Sequence, residues 1–179
     1  MNWTALVGSL YSAQYTAAER LAEPGLSMPP NPPASVEAVA AAEQRLGVWF
    51  DAEFRQFLLT CDGWSRYGTV QLFGVGDFAA GEKWRRDSAC AQRYFDTGAS
   101  GTLIVPEGYR LVLVGKTLAA QRFIMMLFPT GPGIGPAACW DCMAGIDLRY
   151  PSFGVWAEFE ASAISYALDE EIADRRCPQ

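Results

Sequence analysis

The part of the chain that most restricts its fold is residues 35–64, SVEAVAAAEQRLGVWFDAEFRQFLLTCDGW, which predicts two short helices joined by a tight bend. Ser35 is expected to cap the first helix and Gly47 to end it, and Asp51 is expected to cap the second. Glu43 falls on the apolar stripe of the first helix, at i, i+3/i+4, i+7 spacing. Because an unpaired buried carboxylate is costly, the sequence predicts that Glu43 has a partner within the fold.

The remaining segments predict an α+β fold. An amphipathic helix is expected over 2–22, and the four prolines of MPPNPPAS then hold the chain extended. Past residue 64 the apolar period changes, and the pattern predicts strands over 69–75, 102–105, 109–115, 122–129 and 137–142, and helices over 82–95 and 157–172. This order favours a mainly antiparallel central sheet flanked by helices, with an extra N-terminal helix. The expected divisions are 1–34 for the N-terminal helix and linker, 35–174 for the main domain and 175–179 for a tail.

Composition excludes several classes of protein. The formal charge of −6 and the lack of a basic stripe disfavour a nucleic-acid binder. No run of about 18 apolar residues is present, and the N-terminus has no basic region before an apolar one, so we expect an untargeted cytoplasmic protein without a membrane span. Five cysteines, an odd number spread along the chain, do not have the pattern of a disulfide framework, and we expect reduced thiols.

Two glycine-containing stretches resemble phosphate-binding loops, but neither has the residues or the following helix that such a loop needs. Gly115-Lys116-Thr117 ends like such a loop, but the motif needs a glycine five residues before Gly115, where the chain has Arg110 in a predicted strand. A hairpin turn is the better interpretation. The stretch TGPGIGPAAC has no following helix that would present N–H groups to an anion, so a surface loop is expected there.

Cys139 and Cys142 form a lone C-x-x-C. Zinc would need two further ligands, and the chain contains no histidine. If the segment is a strand, residues three apart point to opposite faces and cannot share a metal or a disulfide. The absence of histidine also removes the Ser-His and Cys-His nucleophile arrangements. We therefore expect no metal, no cofactor and no enzymatic activity.

Residues 36–64 resemble the opening signature of the SUKH superfamily, the domain of the yeast cell-wall-assembly regulators of the Smi/Knr type. The signature has a helix with a glutamate, a Leu-Gly end, a second helix with an aromatic-x-x-Phe-Leu pattern and a final turn. The matching residues are Glu43, Leu46, Gly47, Phe54, Phe57, Leu58 and Gly63. The sequence departs from the pattern at Phe50, where proline is usual, at Asp62, where asparagine is usual, and at Trp64, where a small residue is common.

The resemblance implies an α+β fold and, for bacterial members, an immunity protein that binds and neutralises a toxin domain. A glutamate that recurs in a binding family without shared chemistry is expected to be architectural, and Glu43 is expected to accept from free N–H groups at the start of the second helix. Gly47, Asp51 and Gly63 are expected to be structural as well.

Two functions remain open at this point. The first is immunity against a polymorphic toxin, which would be a basic, nuclease-like domain or another enzyme acting on nucleic acid or nucleotides. The second is a regulatory or scaffold module, which the resemblance suggests for fungal relatives. Small size and a low isoelectric point favour the first. A large secreted protein with a C-terminal toxin domain, encoded directly upstream, would decide between them.

A partner surface is expected where acidic and aromatic residues meet outside the core, because aromatic residues dominate interface hot spots and opposite charge steers association. The candidates are Asp62, Trp64, Tyr67, Asp77, Glu82 and Trp84. Ordinary packing is an alternative for both tryptophans. The N-terminal helix is expected either to dock on the domain or to form a homodimer through its apolar stripe, whose main members are Trp3, Leu6, Leu10 and Leu21.

Overall fold

The computed structural model describes residues 1–96, 105–117, 122–132, 137–143 and 146–176. The helices are α1 (Trp3–Leu21), α2 (Val36–Leu46), α3 (Ala52–Leu58), α4 (Glu82–Asp96) and α5 (Phe153–Arg176), with a short 3₁₀ turn over Pro24–Ser27. The strands are β1 (Trp64–Tyr67), β2 (Val70–Leu72), β3 (Tyr109–Thr117), β4 (Arg122–Pro129), β5 (Ala138–Met143) and β6 (Ile146–Tyr150). The predicted α+β fold with an N-terminal helix is confirmed.

The six strands form one antiparallel sheet in the order β1-β2-β3-β4-β5-β6. Two of them, β1 and β6, were not predicted. The hairpin turn expected at Gly115-Lys116-Thr117 is wrong, because β3 continues through Thr117 and Lys116 pairs with Phe123 of β4. The expected strand over 102–105, the loop over 130–139 and the C-terminal tail fall partly on residues outside the described ranges.

The helices lie on both faces of the sheet. Side chains alternate along a strand, so Arg122 and Phe123 of β4 point to opposite faces. Arg122 reaches Glu160 of α5, whereas the Phe123 ring lies 6.1 Å from that of Tyr94 in α4. The core beside α5 is rich in phenylalanine, and Phe54 lies at its centre, with ring contacts to Phe50, Phe57, Phe78, Phe128 and Phe153.

Helix α1 docks on this domain. The Trp3 ring lies 5.3 Å from Phe57 of α3 and 5.7 Å from Phe153 of α5. Leu10 and Leu21 are also buried, and Leu6 is half-buried against the core. The stripe that was considered for a homodimer is therefore covered by the chain's own residues, and that dimer interface is a wrong expectation.

The proline-rich segment is tied to the domain by hydrogen bonds. The indole N–H of Trp64 donates to the Met28 carbonyl at 2.8 Å, and the side-chain amide of Asn31 donates to the Asp62 carbonyl at 2.8 Å. The Ala34 N–H donates to the α3 carbonyl of Leu58 at 3.0 Å. These contacts fix where α1 enters the domain.

Caps fix the α2–α3 bend as the sequence predicts. Ser35 accepts from the Ala38 N–H and Asp51 from the Phe54 N–H, at 3.1 and 2.7 Å. Gly47 ends α2 with φ +62°. Gly63 has φ +78°, and a Cβ there would lie 2.6 Å from the backbone nitrogen of Gly74, so no other residue fits without a shift of the backbone.

Arg122 joins α5 to the sheet through a buried ionic cluster, here called the Arg122 cluster, which comprises Arg122, Asp141, Trp156 and Glu160. The guanidinium donates to Asp141 Oδ1 at 2.7 Å and to the two oxygens of Glu160 at 2.8 and 2.6 Å. The Trp156 indole donates to Asp141 at 2.9 Å. Burial disfavours the charged guanidinium, but the hydrogen bonds to the two carboxylates outweigh it and raise the pKa of Arg122.

We predict that Arg122→Met lowers the free energy of unfolding by about 3 to 5 kcal/mol, because it leaves two buried carboxylates without a cation. Urea denaturation measures this loss. The matched control is Arg122→Met combined with Glu160→Gln, which leaves one unpaired charge fewer and should be more stable than Arg122→Met alone. Equal stability of wild type and Arg122→Met would contradict a structural role for the cluster.

Candidate partner-binding surface

Glu43 has two partners at the bend between α2 and α3. Its Oε1 accepts from the Phe50 N–H at 2.8 Å, and Arg55 Nη2 donates to both carboxylate oxygens at 2.7 and 2.8 Å. The backbone partner lies one residue before the Asp51 cap, slightly earlier than the sequence suggested. Arg55 was not anticipated, although its place one turn into α3 puts it opposite the carboxylate. The contacts join α2, the bend and α3.

A surface cleft of about 450 Å³ lies beside this ion pair. Trp49 lines it together with Glu43, Arg55 and Thr130, and half of the Trp49 side chain is exposed. The Trp49 N–H donates to the Pro129 carbonyl at 2.8 Å, which fixes the bend against β4. The cleft contains one acid and one base that already neutralise each other, so it offers little net charge to a partner.

Two of the expected acidic residues hold a loop together. Asp62 Oδ1 accepts from the Val75 N–H at 2.7 Å, and Asp77 Oδ2 accepts from the Gly74 N–H at 2.9 Å. Burial is the main cause that raises the pKa of the half-buried Asp62. Asp77 is exposed.

Trp64 and Tyr67 are core residues, which corrects their assignment to a partner surface. Their exposed fractions are 0% and 1%. The Trp64 indole is committed to Met28, and the Tyr67 hydroxyl donates to the Ala157 carbonyl of α5 at 2.6 Å. The Trp64 ring packs on Tyr11 of α1 and the Tyr67 ring on Trp156 of α5, and no feature of the local sequence predicts these contacts.

Glu82 and Trp84 lie in the first turn of α4. Glu82 is exposed. Trp84 is half-buried, its indole donates to the Leu113 carbonyl of β3 at 3.1 Å, and its ring packs on Phe78 at 6.3 Å. Trp84 is therefore mainly a packing residue, which was the alternative to a role in partner binding. Of the six expected contact residues, Asp77 and Glu82 are the exposed ones.

Lys116 and the two cysteines of the C-x-x-C are buried in the fold. Lys116 is buried and pairs with Asp87 of α4 at 2.7 Å, which joins α4 to β3. Cys139 and Cys142 are buried in β5 on opposite faces, as predicted for a strand, and burial raises the pKa of both thiols. Within the described ranges, no group of three or more histidine, cysteine or acidic side chains could hold a metal ion.

The structure has an exposed apolar face that was not predicted from the sequence, here called the α5/β6 face, which is formed by Leu148, Val155, Phe159 and Tyr166. Val155, Phe159 and Tyr166 are spaced by four and then seven residues along α5, which places them on one side of the helix, and Leu148 lies on β6. The signal was present in the sequence, because apolar residues in 153–172 occur on both sides of the helix. Although α5 has this exposed apolar side, none of the helices in the described part of the chain is long and apolar enough to cross a membrane.

Comparison with known proteins gives one family. A model of the SMI1 / KNR4 family (SUKH-1) matches residues 33–158, more than two thirds of the chain. The match runs from the proline-rich segment to the first turn and a half of α5, so α1 lies outside it. No match was found among curated proteins.

We predict that Glu43→Ala lowers the free energy of unfolding by about 1 to 3 kcal/mol, because it leaves the Phe50 N–H and the Arg55 guanidinium without their acceptor. Glu43→Gln should cost less, since its amide oxygen still accepts from Phe50. Denaturant melts of both variants measure the difference. If both melted like wild type, the architectural role of Glu43 would be wrong.

Proposed function

This chain belongs to the SMI1 / KNR4 family (SUKH-1), and on that premise we propose that it is a non-enzymatic immunity protein, which neutralises a cognate polymorphic toxin in the cytoplasm by binding it directly. The family match is the observation that carries the proposal, since members of this family typically bind cognate toxins. The coarser statement, a toxin-immunity or Smi/Knr-type module, follows from the family alone.

Charge supports a basic toxin as the partner. A domain that acts on nucleic acid or nucleotides needs a positive surface for phosphates, and the chain carries a formal charge of −6. Asp77, Glu82, Glu158 and Asp169 are among its exposed acids. Such a charge distribution steers a basic domain toward the protein and repels nucleic acid from it.

The described side chains also support a binding role over catalysis. The chain lacks histidine altogether, and Cys61, Cys139 and Cys142 are buried. Burial raises the pKa of the Cys61 thiol to about 12, so this sulfur stays protonated and unreactive. We therefore propose that the toxin is blocked by occupation of its surface.

A regulatory or scaffold module of the Smi/Knr type is the second candidate, because the same family includes such regulators. It would use an exposed apolar face in the same way, but its partner would not be a toxin encoded beside it. The two candidates are separated by the identity of the partner.

We predict that co-expression with the toxin domain encoded beside the gene restores growth, and that the purified proteins associate faster than the roughly 10⁵ to 10⁶ M⁻¹s⁻¹ of neutral docking. Added salt should slow association, because charges are screened over about 8 to 10 Å, and should leave dissociation nearly unchanged. Stopped-flow or surface-based kinetics from low to high salt measure both rates.

Charge variants at one exposed site provide the control. Glu82→Lys should slow association, whereas Lys83→Glu, at the neighbouring exposed position, should speed it. Absence of both rescue and binding with the neighbouring toxin domain would reject the immunity function and favour the regulatory module.

A further inference from the structure

The outer side of α5 is apolar where a helix facing only water would be polar. The buried side of this helix carries Phe153, Trp156 and Ala157, which pack into the core. On the opposite side, Phe159 and Tyr166 are 56% and 65% exposed, and Val155 is 43% exposed. A surface helix with one apolar stripe would expose polar residues here, so the second stripe needs an explanation of its own.

Strand β6 extends this stripe onto the sheet. Leu148 pairs with Asp141 and Tyr150 with Cys139 across β5–β6, which places Leu148 and Tyr150 on the face that carries α5. The Tyr150 ring lies 5.8 Å from the Phe159 ring, and Leu148 is exposed. The exposed apolar residues of the α5/β6 face therefore lie on the same side of the sheet, on its last strand and along the helix.

The rim of this patch is acidic. The sequence from residue 153 to residue 174 contains no lysine or arginine. Glu158, Asp169 and Glu170 are exposed beside the aromatic residues, and the Tyr166 hydroxyl donates to Glu170 at 2.6 Å. The neighbouring Arg149 alternates with Leu148, and its guanidinium lies 4.6 Å from the Trp140 ring on the other side of the sheet.

We propose that the α5/β6 face is the docking surface for the basic toxin domain, with Phe159 and Tyr166 as its central contacts and Glu158 and Asp169 as its charged rim. This inference rests on the proposed function. Aromatic side chains at the centre of an interface contribute most of its binding energy, and their faces accept arginine and lysine through cation–π contacts. Carboxylates around them pair with the remaining basic groups of the partner.

Charge decides between this partner and a second copy of the chain. In a two-fold dimer the same patch meets itself, so Glu158, Asp169 and Glu170 would face their own counterparts. Helix α5 supplies no basic residue over 153–174, and Arg20 of α1, which lines a cleft with Asp169, is one cation against three acids, so that arrangement is repulsive on balance. With a basic domain as the partner, the repulsion is absent and each of these acids attracts the partner.

The test measures dissociation of the complex formed by the full chain and the toxin domain encoded beside its gene. Phe159→Ala and Tyr166→Ala should each speed dissociation at least about tenfold, as expected of central contacts. Glu158→Lys and Asp169→Lys should mainly slow association. The matched control is Trp49→Ala, which removes an aromatic side chain of similar exposure, 50%, outside the face and should leave dissociation unchanged.

The outcomes separate the surface from the function. Thermal melts verify that the Phe159 and Tyr166 variants are folded. If wild type binds and these folded variants dissociate as slowly as wild type does, the proposed surface is wrong and the immunity function stands. A complete lack of binding by wild type would overturn both. A wild-type dimer in sedimentation, made monomeric by Phe159→Ala, would identify a second copy as the occupant and overturn the basic partner.

Discussion

The rest of the structure depends on how one largely buried cation, Arg122, balances two buried carboxylates. Arg122 projects from β4, Asp141 comes from β5 and Glu160 from α5, so the Arg122 cluster crosses two strands and a helix. The Trp156 indole adds a hydrogen bond to Asp141 from one turn earlier in α5. Because leaving any of these charges unpaired is costly, α5 has one rotational setting about its axis. That setting places Trp156 inside and Phe159 outside.

The sequence predicts the elements well where local rules decide them. Caps at Ser35 and Asp51 and the apolar runs of β3 to β5 depend on residues close together in the chain. Arg122 and Glu160 are 38 residues apart, and no local pattern links them. Strand β6, IDLRY, alternates apolar and polar residues as a half-buried strand does, but with only five residues it was missed.

The candidate site was harder to predict than the fold. Whether an aromatic residue is buried depends on which elements cover it, and Trp64 is covered by α1, a helix far from it in sequence. Asp62 is acidic and near a turn, as expected of a contact residue, but its carboxylate is used by the backbone of Val75. Phe159 was assigned to a helix correctly, and only the orientation set by the Arg122 cluster reveals that its ring faces solvent.

Helix α5 links the fold to the proposed function, because its inner side packs in the core and its outer side carries the exposed residues of the proposed docking surface. The most direct measurement is photo-crosslinking of the complex with a photoreactive phenylalanine analogue placed at one of two exposed positions, Ala163 on the outer side of α5 or Ala80 before α4. If the α5/β6 face binds the basic toxin domain, the probe at Ala163 forms a covalent adduct with it and the probe at Ala80 does not. An adduct from Ala80 and none from Ala163 would contradict the account.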